Sequence, residues 1–315
     1  MLTATSTANE AVTPFRFMAN NPTRKSLSLN CVIFRAKRIT QFRLSDFGTF
    51  VSMSVFRENL LKDRVAFVTG GGSGIGQRMA ERFAEHGAKV ALAGRKQEKL
   101  DAAAGAIRAA GGVAETFALD VRDYAAVAEA LRQTHERLGA IDILLCAAAG
   151  NFPAPVTGMS ANGFKAVIDI DLLGTFNTCR AAHEFLRKPG ASVISISANH
   201  ATTAIAAQSH VCAAKAGIEL LMKTLAIEWG PEGIRANCIT PGPTDDTEGM
   251  RRLAPTEEAR RRVQQSVPLR RYGTKDELAD LALFLCSDAA TYITGSVYCC
   301  DGGSGLTRLS SLALS

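Results

Sequence analysis

A glycine-rich stretch in the first third of the chain has the composition of a phosphate-binding loop. The segment "TGGGSGIG" (69–76) stands between an apolar run and an amphipathic run. Its glycines allow a tight turn and a close approach to a pyrophosphate, whose charge is stabilised by free N–H groups at a helix N-terminus. A second strand-like run follows about twenty residues later, as in dinucleotide sites. The predicted cofactor-binding residues here are Gly70, Ser73, Gly74, Ile75 and Gly76.

The residues after the second strand-like run indicate which dinucleotide binds. An NAD site commonly has an acidic residue at this point, and its carboxylate would repel a 2′-phosphate. Here the run ends at Gly94 and continues with Arg95 and Lys96, which can pair with that phosphate. The pattern predicts NADPH, and the alternative is that Arg95 is a solvated residue at the start of a helix. Asp120 and Val121 are predicted to flank the adenine, unless Asp120 only caps the next helix.

The segments that must position these residues alternate between strand-like and helix-like patterns. Segment 74–87, for example, has Ile75, Met79 and Phe83 at i, i+4 and i+8, as in an amphipathic helix. Parallel strands need crossover helices on both faces. We therefore predict an α/β fold with a doubly wound parallel sheet (Rossmann fold), in one domain over residues 53–308. The predicted strands are 64–69, 89–94, 114–119, 141–147, 191–197, 234–240 and 296–300.

Composition and charge limit the possible partners. The chain has 315 residues, of which 47% are hydrophobic, and this is ample for a buried core. No run approaches the length of about eighteen apolar residues that a membrane span requires, so we predict no membrane partner. Seven basic residues precede Met53 against two acidic ones, which leaves only +1 of the net charge of +6 for the remainder; we predict no nucleic-acid partner. Eight scattered cysteines without CxxC spacing indicate a reducing compartment and no metal.

The first 52 residues lack sustained periodicity and are rich in Ser, Thr, Asn and Arg. This composition predicts a disordered N-terminal extension, or a start that lies upstream of the true initiator at Met53. A segment rich in Arg and Ser and poor in acidic residues is also typical of a mitochondrial transit peptide. We expect a cytoplasmic protein, with the mitochondrial matrix as the alternative if residues 1–52 are such a peptide.

Five motifs in order along the chain resemble those of the short-chain dehydrogenase/reductase family. They are "TGGGSGIG", "LLCAAAG" at the fourth strand, a lysine in the helix after the fifth strand, "TPGP" after the sixth and "DGG" near the end. The resemblance covers about residues 60 to 305. It implies one Rossmann-type domain that forms a homodimer or homotetramer, with Pro241 and Gly242 at the cofactor. It also implies catalysis by a Tyr and a Lys four residues apart, together with a Ser and an Asn.

The chain departs from this pattern at three of the four catalytic positions. In "SHVCAAKAG" the lysine is kept as Lys215, but the tyrosine position is Val211; the serine position falls near Ala198, beside Ser197, and the asparagine position is Asp171. Interconversion of alcohols and ketones needs an acid or base at the oxygen. Two possibilities follow. Either the chain is a catalytically silent NADP-binding protein, or it transfers hydride where no alcohol oxygen exchanges a proton, as in conjugate reduction of an enoyl thioester.

The segment "CAAAGNFPAP" (146–155) resembles that of the 2,4-dienoyl-CoA reductases, a branch that lacks the usual tyrosine. Longer segments such as "TPGPTDDTEGMRRLAP" look like the peroxisomal type of that branch. The resemblance implies NADPH-dependent reduction of 2,4-dienoyl-CoA to 3-enoyl-CoA in the β-oxidation of unsaturated fatty acids, with an acyl-CoA thioester as substrate. The alternative enzyme is another enoyl- or ketoreductase of the family that uses a donor other than tyrosine.

The resemblance also implies roles for single residues. Asn151 would donate a hydrogen bond to the thioester carbonyl, and Lys215 would hold the nicotinamide ribose and supply positive charge. Asp171 would organise or relay a proton, and Asp301 would be a second acidic participant. His200 stands where the mitochondrial type has a substrate-holding tyrosine. The alternatives are that Asn151 and Asp301 are ordinary turn residues and that His200 is a structural histidine in a loop.

Segment 243–272 is where the family has its substrate-covering segment. Arginine is an apt partner for the phosphates of CoA, although interspersed glutamates favour salt-bridged surface helices instead. The arginines of the segment are Arg251, Arg252, Arg260, Arg261, Arg262, Arg270 and Arg271.

Overall fold

The computed structural model describes residues 55–309, which lie in one compact unit of the chain. The predicted extension over residues 1–52 and the boundary near Met53 lie outside the described residues. Within the described part, no helix is long and apolar enough to cross a membrane.

A sheet of seven parallel strands runs through the centre of the described unit, in the order β3-β2-β1-β4-β5-β6-β7. All seven predicted strands are confirmed, and the strand ends differ from the prediction by at most two residues. The strands are β1 (Val65–Thr69), β2 (Lys89–Gly94), β3 (Val113–Ala118), β4 (Ile143–Cys146), β5 (Ser192–Ile196), β6 (Arg235–Pro241) and β7 (Val297–Cys300).

Helices cover both faces of the sheet, as a doubly wound fold requires. One buried cluster includes Met79 and Phe83 of α1, and the other includes Leu131 of α3 and Trp229 of α6. The predicted fold class is confirmed. The α-helices of the described residues are α1 (Gly74–Glu85), α2 (Gln97–Ala109), α3 (Tyr124–Leu138), α4 (Ala161–Val167), α5 (Gly174–Ala182), α6 (Ser209–Trp229), α7 (Glu248–Leu253), α8 (Glu257–Ser266) and α9 (Lys275–Cys286).

The direction of the chain across the sheet reverses between β1 and β4, which are neighbours although β2 and β3 separate them in sequence. Loops at the carboxyl ends of such strands diverge and leave a crevice. The loop after β1 packs directly on the loop after β4: Gly70 has a φ of +70°, and a Cβ placed on it would lie 2.7 Å from the carbonyl oxygen of Ala147. A glycine is therefore required at this crossing.

The substitution Gly70→Ala tests this close approach. We expect it to lower the free energy of unfolding by about 1–3 kcal/mol, because alanine is strained at this φ and its methyl group meets the backbone. The control is Gly105→Ala in α2, where a Cβ has no neighbour within 4 Å; it should raise stability by up to about 1 kcal/mol. Urea unfolding measures both, and a Gly70→Ala variant as stable as the wild type would contradict the packing described.

Candidate active site

A cleft of about 370 Å³ opens at the carboxyl ends of the first strands. Its walls come from the glycine-rich loop, the loop after β2, the loop after β3 and the loop after β4, with Ile196 at the end of β5. The cleft brings together eight of the predicted cofactor residues, namely Gly70, Ser73, Ile75, Gly76, Arg95, Lys96, Asp120 and Val121.

The N-terminus of α1 has the features of an anion site. Gly74 begins the helix with a φ of +62°, and the side chain of the preceding Ser73 makes no capping hydrogen bond. The first turn contains no acidic residue. N–H groups of this turn are therefore not capped by Ser73, and the helix dipole favours a negative group beside them.

Three cationic side chains stand on one wall of the cleft. Arg95 and Lys96 were predicted, and Lys99 in the first turn of α2 joins them. All three are exposed, and none lies within ion-pair distance of an acidic side chain in residues 55–309. The sequence analysis missed Lys99, which follows Lys96, the N-cap of α2, by three residues.

Asp120 faces the same cleft as an ionised acceptor. Arg122 donates to both of its carboxylate oxygens at 2.9 and 2.6 Å, and these hydrogen bonds hold the pKa of Asp120 below its usual range. The alternative that Asp120 caps α3 does not apply, since the N-cap is Asp123, which accepts from the N–H of Ala126. The amide of Asn177 donates to the carbonyl of Val121 at 3.0 Å and so fixes this wall.

A buried ion pair lies behind the cleft. The ammonium of Lys215, on α6, is 3.1 Å from Oδ2 of Asp171 and donates to the carbonyl of Ile196 at 3.0 Å. Asp171 Oδ1 accepts from the N–H of Gly150 at 2.7 Å. Lys215 is 6% exposed and Asp171 is fully buried. Such charges remain in the interior only when each is paired and hydrogen-bonded, so the contacts lock the lysine against the end of β5.

A π-helical turn, Ile168–Leu173, carries Asp171 into this position. Turns of this kind are rare in proteins, and those that occur are often found at functional sites. The backbone carbonyl of Asp171 accepts from the hydroxyl of Thr175 at 2.6 Å. Asp169, two residues earlier, pairs instead with Lys165 on a more exposed side.

The positions of the family's tyrosine and serine contain no catalytic hydroxyl. Val211 is buried in an apolar cluster with Val167 and Ala214. Ser197 is also buried, and its hydroxyl donates to Oε1 of Glu219 at 2.7 Å, so α6 engages it away from the cleft. Ala198 lies on the wall of a second cavity. An alcohol oxygen at this site therefore has neither of the usual proton-handling partners.

A second cavity, of about 280 Å³, lies next to the cleft. Ile196 lines the cleft, and Ala198, two residues later, lines the cavity, so the two spaces are neighbours. Pro241 and Gly242, which were predicted to contact the cofactor, line this cavity. Its walls comprise Ala198, Asn199, His200, Thr203, Ile205, Pro241, Gly242, Pro243, Met250, Leu253, Ser304 and Gly305.

The other predicted catalytic residues lie around these two spaces. Asn151 is exposed and directly follows Gly150, whose N–H is held by Asp171. The ring of the next residue, Phe152, packs edge to face against buried His210 with centroids 4.6 Å apart. Asp301 is half-buried and accepts hydrogen bonds within its own turn.

The arginines of segment 243–272 are mostly paired within the described residues. Six of the seven form ion pairs with acidic side chains, and Arg270 contacts the backbone of Gln265 instead. This pattern is that of the salt-bridged surface helices weighed above. The six pairs are Arg251 with Asp246, Arg252 with Glu248, Arg260 with Asp245, Arg261 with Glu257, Arg262 with Glu258 and Arg271 with Glu277.

A doubly wound sheet, a glycine-rich loop before α1 and a buried lysine at the end of β5 define a nucleotide-dependent oxidoreductase of the short-chain dehydrogenase/reductase class. The family model described as "Enoyl-(Acyl carrier protein) reductase" matches residues 70–305. The chain belongs to this family.

Its curated relatives include several named as reductases of dienoyl thioesters. The peroxisomal 2,4-dienoyl-CoA reductase of Danio rerio is 42% identical over 255 residues, 80% of this chain and 85% of the relative. The peroxisomal enzyme of Saccharomyces cerevisiae is 41% identical, over 81% of this chain and 89% of the relative. A probable 2,4-dienoyl-CoA reductase of Bacillus subtilis is 41% identical over 78% and 98% of the two chains.

Solved structures show the same fold. A short chain dehydrogenase from Bacillus anthracis is 40% identical with a TM-score of 0.71, covering 79% of this chain and 99% of that one. A gluconate 5-dehydrogenase from Burkholderia cenocepacia, in complex with NADP and tartrate, is 31% identical with a TM-score of 0.73, covering 77% and 95%.

The substitution Ser197→Ala tests whether this serine is structural. We expect it to lower the free energy of unfolding by about 1–3 kcal/mol, because the buried Glu219 loses its donor, and to leave NADPH binding within about twofold of wild type. Urea unfolding and a fluorescence titration with NADPH measure the two effects. A variant with unchanged stability and abolished binding would place Ser197 in the cleft.

Proposed function

We propose that the protein catalyses the NADPH-dependent reduction of 2,4-dienoyl-CoA to 3-enoyl-CoA, a step in the β-oxidation of unsaturated fatty acids. The observation that carries the proposal is the buried pair of Lys215 and Asp171 beside an apolar Val211. The site keeps a positive charge and lacks the hydroxyl that alcohol chemistry needs. The relatives named as 2,4-dienoyl-CoA reductases support this assignment.

The chemistry of a conjugated thioester fits such a site. NADPH, when bound, supplies a hydride to the distal carbon of the diene and becomes NADP⁺. The electron pair that this addition displaces moves through the conjugated system to the thioester oxygen. A proton then adds to the carbon beside the thioester carbonyl, and the remaining double bond lies one position further along the chain. The oxygen needs hydrogen-bond donors and positive charge, but gains no proton in the product.

The residues of this chain would divide the work as follows. Lys215, held by Ile196 and Asp171, would hold the nicotinamide ribose and supply positive charge. Asp171 fixes the N–H of Gly150 and through it the start of the loop that carries Asn151. Asn151 is exposed and would donate to the thioester oxygen. Asp171 would also organise the proton that the substrate takes up.

The residues lining the cleft fit an NADP molecule. The uncapped N-terminus of α1 would hold the pyrophosphate. Arg95, Lys96 and Lys99 would bind the 2′-phosphate, and Asp120 would lie beside the adenosine. The related structure that contains NADP supports this choice.

A second enzymatic candidate is a ketoreductase in which His200 replaces the tyrosine. Its support is that His200 lines the second cavity, next to the cleft. The non-enzymatic alternative is a catalytically silent NADP-binding protein. The substrate panel below separates the three.

The acyl-CoA would contact the segment over residues 243–272. We propose that the second cavity takes the acyl chain, since Ile205, Met250 and Leu253 give it apolar walls. Among the arginines of this segment, Arg270 is the best candidate for a CoA phosphate, because the other six are neutralised by ion pairs.

We also propose a homodimer or homotetramer. Phe176 of α5 and Leu220 and Ile227 of α6 are exposed large apolar side chains, and their burial against a second copy would be favourable. Light scattering of the purified protein measures its mass, and a monomer would contradict the proposal.

For the cellular location, we propose the cytoplasm, with the mitochondrial matrix as the alternative if residues 1–52 act as a transit peptide. The names of the zebrafish and yeast relatives place those proteins in peroxisomes, a compartment that the sequence analysis did not predict. Imaging of fluorescently labelled full-length chain distinguishes the three.

The first test of the reaction is oxidation of NADPH by the full chain with 2,4-hexadienoyl-CoA and 2,4-decadienoyl-CoA. We expect turnover with both dienes and none with crotonyl-CoA or acetoacetyl-CoA, because only the dienes present the extended conjugation. Lys215→Ala should lower kcat by on the order of a hundredfold or more, and Lys223→Ala, on the exposed face of the same helix, should have no effect.

The outcomes separate the hypotheses. Turnover of acetoacetyl-CoA would favour the ketoreductase with His200. Binding of NADPH without turnover of any substrate would favour the silent protein and overturn the proposed reaction.

The preference for NADPH has its own test in Lys99. We expect Lys99→Ala to raise the KM for NADPH about tenfold, because one charge-assisted hydrogen bond to the 2′-phosphate is lost, while the KM for NADH changes little. Lys62→Ala is the matched control, since Lys62 is exposed at the amino ends of the strands, whereas the cleft lies at their carboxyl ends. An equal change for both cofactors would contradict contact with the 2′-phosphate.

A further inference from the structure

Asp301 shapes the turn that follows β7. Its Oδ1 accepts from the N–H of Gly303 at 2.9 Å, and its Oδ2 accepts from the N–H of Gly305 at 2.7 Å. The hydroxyl of Ser304 lies 3.3 Å from the same Oδ2. One carboxylate thus organises the segment that ends with Gly305.

The same carboxylate reaches a distant loop. The amide nitrogen of Asn199 donates to Oδ2 of Asp301 at 3.4 Å and to the hydroxyl of Ser304 at 3.1 Å. Asn199 begins the short 3₁₀ turn Asn199–Ala201, which carries His200. The loop after β5 and the segment after β7 are therefore joined through one amide group.

Glycines make this junction tight. A Cβ on Gly242 would lie 2.5 Å from Cα of Asp301, and a Cβ on Gly305 would lie 3.0 Å from Oδ2 of Asp301 and 3.2 Å from Oδ1 of Asn199. A Cβ on Gly242 would overlap the backbone of Asp301, and a Cβ on Gly305 would push against the side chains of Asp301 and Asn199. Three segments, those after β5, β6 and β7, consequently meet around Asp301.

Asp301 stands outside the cavity that these segments enclose. Asn199, Gly242 and Gly305 line the second cavity, whereas Asp301 lines a separate groove of about 470 Å³ together with Glu277. Within the described part of the chain, Asp301 contacts residues of the cavity wall but does not itself line the cavity.

We propose that Asp301 is a positioning residue that acts through Asn199, holding the wall of the acyl cavity, and that it does not supply the proton. The inference rests on the proposed function, because it takes the second cavity as the place of the dienoyl group. Four donors already surround the carboxylate. A proton that leaves Asp301 would have to pass through the cavity wall that Asp301 holds in place.

A double-mutant cycle with the full chain tests the proposal. Asp301→Ala and Asn199→Ala should each raise the KM for 2,4-decadienoyl-CoA about three- to tenfold with little change in kcat, and the double variant should be no worse than the worse single one. Loss of a general acid would instead lower kcat by about 10²- to 10⁴-fold. Glu58→Ala, at an exposed carboxylate in the turn before β1, is the control.

Two further measurements complete the test. The pH profile of kcat should keep both limbs in Asp301→Ala, and the exchange variant Asn199→Asp/Asp301→Asn, which restores an amide opposite a carboxylate, should recover part of the KM. If Asp301→Ala does not fold, Asn199→Ala and the exchange variant give the result. Effects that multiply, or a lost pH limb, would overturn the inference alone. Absence of diene turnover by the wild type would overturn the proposed function and this inference with it.

Discussion

The ion pair between Lys215 and Asp171 is the interaction on which the geometry of the site depends. Neither charge is tolerable in the interior without the other, because the cost of removing an ion from water is several kcal/mol. The N–H of Gly150 and the carbonyl of Ile196 satisfy part of the hydrogen-bonding capacity that the ion pair leaves unused. Four segments, α6, the π-turn and the loops after β4 and β5, are therefore held in one arrangement by two side chains.

This pair also changes the chemistry that the fold can support. In the usual family pattern a lysine stands near a tyrosine and an asparagine, whereas here its neighbours are a valine and a carboxylate. The positive charge of the lysine can still stabilise an electron-rich oxygen, but an alcohol at this site lacks the residue that usually exchanges its proton. The hydroxyl of Ser197 cannot compensate, since Glu219 already accepts from it. The site therefore retains electrostatic stabilisation as its means of catalysis.

The fold could be predicted from the sequence because its signals are local. Short apolar runs, helix-length segments between them and glycines after β1 each depend on neighbours a few residues away. The site was only partly predictable. Lys99 looks like any surface lysine until the loop after β2 is placed beside it. The direction of the Ser197 side chain depends on the register of β5 against its neighbours.

The long-range features of the site left no pattern in the sequence. Asp301 and Asn199 are 102 positions apart, and no periodicity links them. Pro241 and Gly242 lie beside the second cavity because of where the loop after β6 turns, which the motif "TPGP" alone does not determine. The tertiary arrangement decides such features, and local propensity has little influence on them.

The order of the segments along the chain has a consequence for synthesis. The cleft at the carboxyl ends of the first strands is lined by residues between Gly70 and Ile196 together with Thr247, whereas the wall of the second cavity includes Ser304 and Gly305. Chains emerge from the ribosome N-terminus first. A growing polypeptide therefore completes the segments of the proposed dinucleotide cleft well before those of the proposed acyl cavity, and the second cavity is closed only when translation is almost finished.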